Sequence, residues 1–105
     1  MNIRIPDEYL EYVRAGGRTE SFTTDEPGYF ILWPIDEIEK MNAEYKVEQF
    51  MAGFLGFGSD GGGEMLAFDA TGAVYKLPFI GYSSEEDAWK VADCWSEVAA
   101  RVSDS

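Results

Sequence analysis

Residues 64–80, Glu64-Met65-Leu66-Ala67-Phe68-Asp69-Ala70-Thr71-Gly72-Ala73-Val74-Tyr75-Lys76-Leu77-Pro78-Phe79-Ile80, decide the fold class. Two apolar-rich runs, 64–69 and 73–80, flank Ala70-Thr71-Gly72, and this separation suits an antiparallel hairpin with a short glycine-containing loop. Just upstream, Ser59-Asp60-Gly61-Gly62-Gly63 reads as a turn, because three consecutive glycines resist both helix and strand. Further upstream, Tyr29-Phe30-Ile31-Leu32-Trp33 is an unbroken apolar run between Gly28 and Pro34, the pattern of a buried strand.

Helical patterns surround these strands without alternating with them. Pro6-Asp7 opens a short one, with Tyr9, Leu10 and Val13 on one face and Gly16-Gly17 ending it. Residues 18–28 are polar and turn-rich. After Pro34, Ile35, Ile38 and Met41 recur at three-residue steps, with Asp36, Glu37 and Glu39 placed where a first helical turn favours acids. Residues 45–63 resist a periodic reading. Phe50, Met51, Phe54, Leu55 and Phe57 supply apolar mass while Gly53, Gly56 and Gly58 interrupt it, so a packed loop with one short extended piece is expected. The last segment predicts a long helix with Ser84 as N-cap and Asp87 in the capping-box position. Ala88, Val91, Ala92, Trp95, Val98, Ala99 and Val102 then fall on one side, and Glu86, Lys90, Asp93, Glu97 and Arg101 on the other. Strands and helices mixed in this way predict one α+β domain over residues 1–105, an antiparallel sheet with helices packed on one face.

Composition narrows the function. The chain has 105 residues, 46% of them hydrophobic and 15% aromatic, enough for a core without metal or disulfide. Asp and Glu number 20 against 8 Lys and Arg, a formal net charge of −12. That balance argues against nucleic acid and against an anionic membrane as partners, since phosphate is bound by neutralising it with Lys and Arg. The absence of histidine excludes Ser-His-Asp and Cys-His catalysis and His-ligated zinc within the chain. Cys94, the single cysteine, cannot form an internal disulfide and fits a reducing compartment. The segment Met1-Asn2-Ile3-Arg4-Ile5-Pro6-Asp7 lacks the apolar run of a signal peptide, and no segment approaches the length of an apolar membrane span, so a cytoplasmic protein is expected.

Each candidate site has a plainer competing role. Gly56-Phe57-Gly58-Ser59-Asp60-Gly61 matches G-x-G-x-x-G literally, but a dinucleotide site needs a helix directly after the glycines, and a strand is expected there instead. Ser59 lacks both the glycine two residues before it that a nucleophile elbow requires and a histidine base. Asp60, Glu64 and Asp69 could gather around Ca²⁺ or Mg²⁺, and Asp60 with Glu64 could do acid–base work; their spacing matches no EF-hand, and turn and surface roles compete. Cys94 reads as a half-buried inert thiol, with no cation evident to lower its pKa. Trp33 and Trp95 read as core. Trp89 falls between the faces of the predicted helix, as a partner anchor or as a side chain packed under a loop. No catalytic residue, cofactor or metal ligand is assigned. The acids at Asp25-Glu26, Asp36-Glu37-Glu39, Glu44, Glu48 and Glu85-Glu86-Asp87 serve solubility or draw in a basic protein.

Ile5-Pro6-Asp7-Glu8-Tyr9-Leu10, Gly16-Gly17, Leu32-Trp33-Pro34, the run Gly53-Phe54-Leu55-Gly56-Phe57-Gly58-Ser59-Asp60-Gly61-Gly62-Gly63-Glu64, Ala67-Phe68-Asp69 and Pro78-Phe79-Ile80 together resemble the SUKH superfamily. Within it they are similar to the branch named after the yeast cell-wall assembly regulator of the SMI/KNR type. The Leu-Trp-Pro step and the glycine-rich Phe-Gly-Ser-Asp-Gly-Gly-Gly-Glu segment are the most specific parts. The resemblance implies an α+β fold without enzymatic activity, in which Trp33, Gly61 and Glu64 are mainly architectural. It also implies a role: bacterial members are commonly immunity proteins that neutralise polymorphic or contact-dependent toxins, many of them nucleases or deaminases. Resemblance and charge together lead to an acidic protein that binds a basic toxin domain, its carboxylates lying where phosphates would sit. The candidate partner-binding residues are Trp89, Glu86, Asp36, Glu37, Asp60 and Glu64. The alternative is an intracellular regulatory or scaffolding module unrelated to toxins.

Overall fold

Residues 64–80 form the expected hairpin: β4 (Glu64–Phe68) and β5 (Val74–Pro78) pair antiparallel, with Met65 opposite Leu77 and Phe68 opposite Val74. Asp69 closes the turn through one carboxylate oxygen, which accepts from the Thr71 and Ala73 backbone N–H groups at 2.8 and 3.1 Å and from the Thr71 hydroxyl at 2.6 Å. The computed structural model describes residues 3–103. Around the hairpin, β1 (Glu20–Phe22), β2 (Tyr29–Leu32), β3 (Leu55–Ser59) and β6 (Trp89–Ala92) complete a curled six-stranded sheet, antiparallel throughout and in sequence order. The helices are α1 (Asp7–Arg14), α2 (Ile38–Glu44), α3 (Val47–Phe50) and α4 (Trp95–Ala99). The α+β reading holds.

Strand alternation places Phe30, Leu32, Leu66, Phe68 and Val74 on one face, called inner here. Tyr9 of α1 and Trp95 and Val98 of α4 close that face into the larger core. Tyr9 meets Phe57, Phe68 and Trp95 edge-on at 5.1, 5.3 and 5.0 Å, the geometry that aromatic quadrupoles favour. Glu8 of α1 accepts a 2.7 Å bond from the Ser96 hydroxyl, joining the two helices. A second, smaller cluster lies on the outer face, where Val47 and Met51 cover Met65, Ala67 and Leu77. The C-terminal residues hold the curl. Thr23 bridges Val102, and the Arg101 guanidinium donates to the carbonyls of Glu26 at 2.8 Å and Val91 at 3.1 Å.

Several expectations need correction. The long helix over 84–102 is instead a single 3-10 turn (Glu85–Asp87), then β6, then α4. Asp87 does reach back as a capping-box residue, accepting from the Ser83 N–H and hydroxyl and the Ser84 N–H at 2.8, 3.0 and 3.3 Å. The turn stops there because the free edge of β5 recruits residues 89–92 as a strand, and pairing outweighs helical periodicity. The polar segment 18–28 contains β1, whose three residues are too few to show alternation. Within 45–63 lie α3 and the strand β3, which is the extended piece expected there. Gly56 and Gly58 do not break that strand; they let neighbours close on it. A Cβ at Gly58 would lie 2.4 Å from the Ile31 carbonyl oxygen, and one at Gly56 would lie 2.5 Å from the Met65 sulfur. The run at 29–33 is buried on one side only: Phe30 and Leu32 are buried, Tyr29 and Trp33 half-buried, and Ile31 exposed. Trp95 is core and Cys94 half-buried, as expected.

Candidate partner-binding surface

At the end of the sheet where β2 and β6 begin and β5 finishes, one ammonium group gathers three carboxylates. Lys76 follows Val74 on the inner face by the two-residue strand period, so its side chain points toward the core's rim and meets acids from two turns. Its Nζ lies 3.2 Å from Glu26 in the β1–β2 loop, 3.4 Å from Asp60 in the glycine turn and 3.5 Å from Glu64 at the start of β4. The Lys76 and Asp60 side chains are 11% and 13% exposed, whereas Glu26 and Glu64 are 40% and 39% exposed. Two carboxylates of the three therefore face outward around a cation that neutralises only one.

The glycine turn explains how Asp60 arrives there. Its Oδ1 accepts from the Gly62 N–H at 2.8 Å and the Glu64 N–H at 3.3 Å, leaving Oδ2 to face Lys76. Gly61 has φ +82°, a left-handed conformation, and a Cβ there would lie 2.8 Å from the Tyr29 ring. Burial alone would raise the Asp60 pKa; the Gly62 N–H and the Lys76 charge outweigh it and hold the carboxyl below its ordinary value. Burial would likewise lower Lys76, but its bond to Glu26 and the charges of Glu26, Glu64 and Asp60 hold it above its ordinary value. The pair Asp60 and Glu64 is thus engaged with an internal cation, and Asp69 is occupied in the hairpin turn at the other end of β4. Among the described residues, no three acidic or thiol groups gather in a way that would hold a metal ion.

Trp89 stands beside this cluster. It opens β6 directly opposite Lys76 and is 62% exposed, a position set by strand register and not by a helix flank. Glu86 is exposed in the 3-10 turn that leads into β6. Asp36 and Glu37 are exposed on the 3-10 turn (Ile35–Glu37) that follows β2, at the opposite end of the sheet. The structure thus brings Asp60 and Glu64 together, places Trp89 next to them, and separates Asp36 and Glu37 from all three. Lys76 is absent from the residues the sequence singles out, and Glu26 figures there only as one of the surface acids. A lone lysine inside Val74-Tyr75-Lys76-Leu77 was the available signal, since a charge in a half-buried strand needs partners.

The last link is Asn42 of α2. Its amide donates to the Gly56 carbonyl and accepts from the Gly56 N–H, both at 2.8 Å, tying α2 to β3 beside Trp33. The architecture is that of a small α+β domain whose helix α2 is tied to the sheet and whose acidic rim carries an exposed tryptophan. The chain is a member of the SMI1 / KNR4 family (SUKH-1), whose family model matches residues 1–101. No curated protein matches it. Membership is consistent with a protein-binding role. Among the described residues, no helix is long and apolar enough to cross a membrane.

Proposed function

We propose that this chain is a non-enzymatic immunity protein that neutralises a cognate toxin by binding it, the toxin being a basic domain such as a nuclease. The observation that carries this reading is the Lys76 cluster, with Glu26 and Glu64 turned outward beside the exposed Trp89. Surplus carboxylates speed the encounter with a cationic cleft, while a large aromatic side chain slows dissociation once buried. The charge of −12 extends the same attraction over the whole surface. Trp89, Asp60, Glu64 and Glu86 belong to this proposed surface; Asp36 and Glu37, at the far end, contribute only to the long-range field.

Co-expression with a toxin domain encoded beside this chain tests the proposal. Restored growth together with a stable complex is the expected result. Binding should weaken at least tenfold in Trp89→Ala, and association should slow as salt is raised. Protection without any complex, or a partner that is a cellular regulator and no toxin, would overturn it, the second outcome favouring a regulatory module.

A further inference from the structure

The outer face of the sheet is covered unevenly. Over β4 and β5 it carries Met65, Ala67 and Leu77, sealed by Val47 and Met51. Over β1 and the first part of β2 the covering stops. Phe22 is 62% exposed and Ile31 36%, and Tyr29 between them is half-buried. Phe22 sits directly opposite Tyr29 with ring centroids 4.8 Å apart. Ile31 and Trp33 continue the same side of the chain at two-residue steps, and Trp33 stacks at 6.0 Å on Tyr45, which is 42% exposed. Single exposed apolar residues are ordinary, but a contiguous aromatic stripe along a bare sheet face marks an interaction surface.

Charge identifies the occupant. Glu20 lies opposite Ile31 on this face, and its carboxylate accepts the Tyr29 hydroxyl. A second copy of a chain carrying −12 would set Glu20 against its own kind, whereas a cationic partner meets the Glu20 carboxylate and the ring faces favourably. We propose that the Phe22–Tyr29–Ile31–Trp33–Tyr45 stripe docks an arginine-bearing protein surface, guanidinium groups lying flat on the exposed rings and aliphatic side chains against Ile31. The partner's identity as a toxin rests on the proposed function; the surface and its chemistry do not.

Two decapeptide probes, alternating arginine–leucine and alternating glutamate–leucine, titrated into the ¹⁵N-labelled full chain test this. The arginine probe should shift backbone signals of residues 20–22 and 29–31 and the Trp33 indole, and the glutamate probe should not. The double variant Phe22→Ser, Ile31→Ser should bind the arginine probe at least tenfold more weakly while keeping its melting temperature; if it fails to fold, Tyr45→Ser takes its place. Shifts centred on Trp89 and Lys76, shifts spread over every acidic segment, or undiminished binding by the variant would overturn the assignment. So would self-association of the chain through the same signals. In the co-expression assay, a double variant that protects as well as wild type overturns the stripe alone. A wild type that maps the probe to the stripe yet protects against no toxin overturns the immunity reading alone.

Discussion

The two faces of one sheet have been treated differently by the same chain. The inner face is sealed by α1 and α4 except at the acidic rim, and its aromatic residues Phe30, Phe57 and Phe68 are fully buried with Tyr9 and Trp95. The outer face is sealed only where α3 reaches it, leaving Phe22 and Ile31 in solvent and Trp33 half in. Both faces are rich in aromatic groups, so composition does not separate them. The difference lies in what the helices cover. Burial on the inner face stabilises the fold, and the uncovered outer stripe, with the acidic rim at the sheet's end, is free to stabilise a complex.

Substitutions on the two faces sharpen that contrast, and the largest effect belongs to the inner one. Trp95→Ala empties the centre of the larger core and is expected to cost about 3–5 kcal/mol. That is most of the stability of a domain this size, and loss of a cooperative thermal transition is the readout. Trp33→Ala removes a half-buried ring that lies against both clusters; a cost of about 2 kcal/mol is expected, read as a lower urea midpoint with unchanged slope. A cost equal to that of Trp95→Ala would mean that the outer face is as tightly built as the inner.

The cluster at the rim should have a smaller effect with a distinct pH signature. Asp60 titrates below its ordinary value of 3.8 in the folded chain, so its contribution is present above that pH and fades as pH falls through the folded value. Lys76 titrates above its ordinary 10.5, so its contribution is present below that pH and fades as pH rises through the folded value. Wild type should therefore exceed Asp60→Asn in melting temperature by a constant margin across neutral pH. The margin should close as pH falls through the folded-state value, below 3.8. A margin that stays constant throughout acid titration would mean that the Asp60 carboxylate charge, held by the Gly62 N–H and Lys76, does not stabilise the fold. The smallest effect belongs to the outer face: Phe22→Ser should stay within about 0.5 kcal/mol of wild type by denaturant titration. A large loss there would mean the ring supports the fold and is not held in reserve for a partner.

The legible parts of this protein are those in which local pattern and final contacts coincide. The β4–β5 hairpin is closed by Asp69 within its own loop, so nothing distant could redirect it. The α1 helix likewise puts Tyr9 and Val13 on the face that packs. Residues 89–92 failed the same test. Their spacing satisfies a helix as well as a strand, and the unpaired edge of β5 decided between them. Of the candidate surface residues, Asp60 and Glu64 lie close in sequence and remain close in space. Their shared partner Lys76, and Glu26 fifty positions before it, meet only because the sheet curls.

The sequence alone determined the α+β class, the family, the excess of carboxylates and the absence of histidine chemistry, because each depends on composition or on local patterns that can be read one segment at a time. Only the tertiary structure decided which aromatic residues are core and which are bare, and which acids surround a common cation. Those outcomes depend on strand register and on how far four short helices can reach over a six-stranded sheet, and neither quantity is written within any single stretch of the chain.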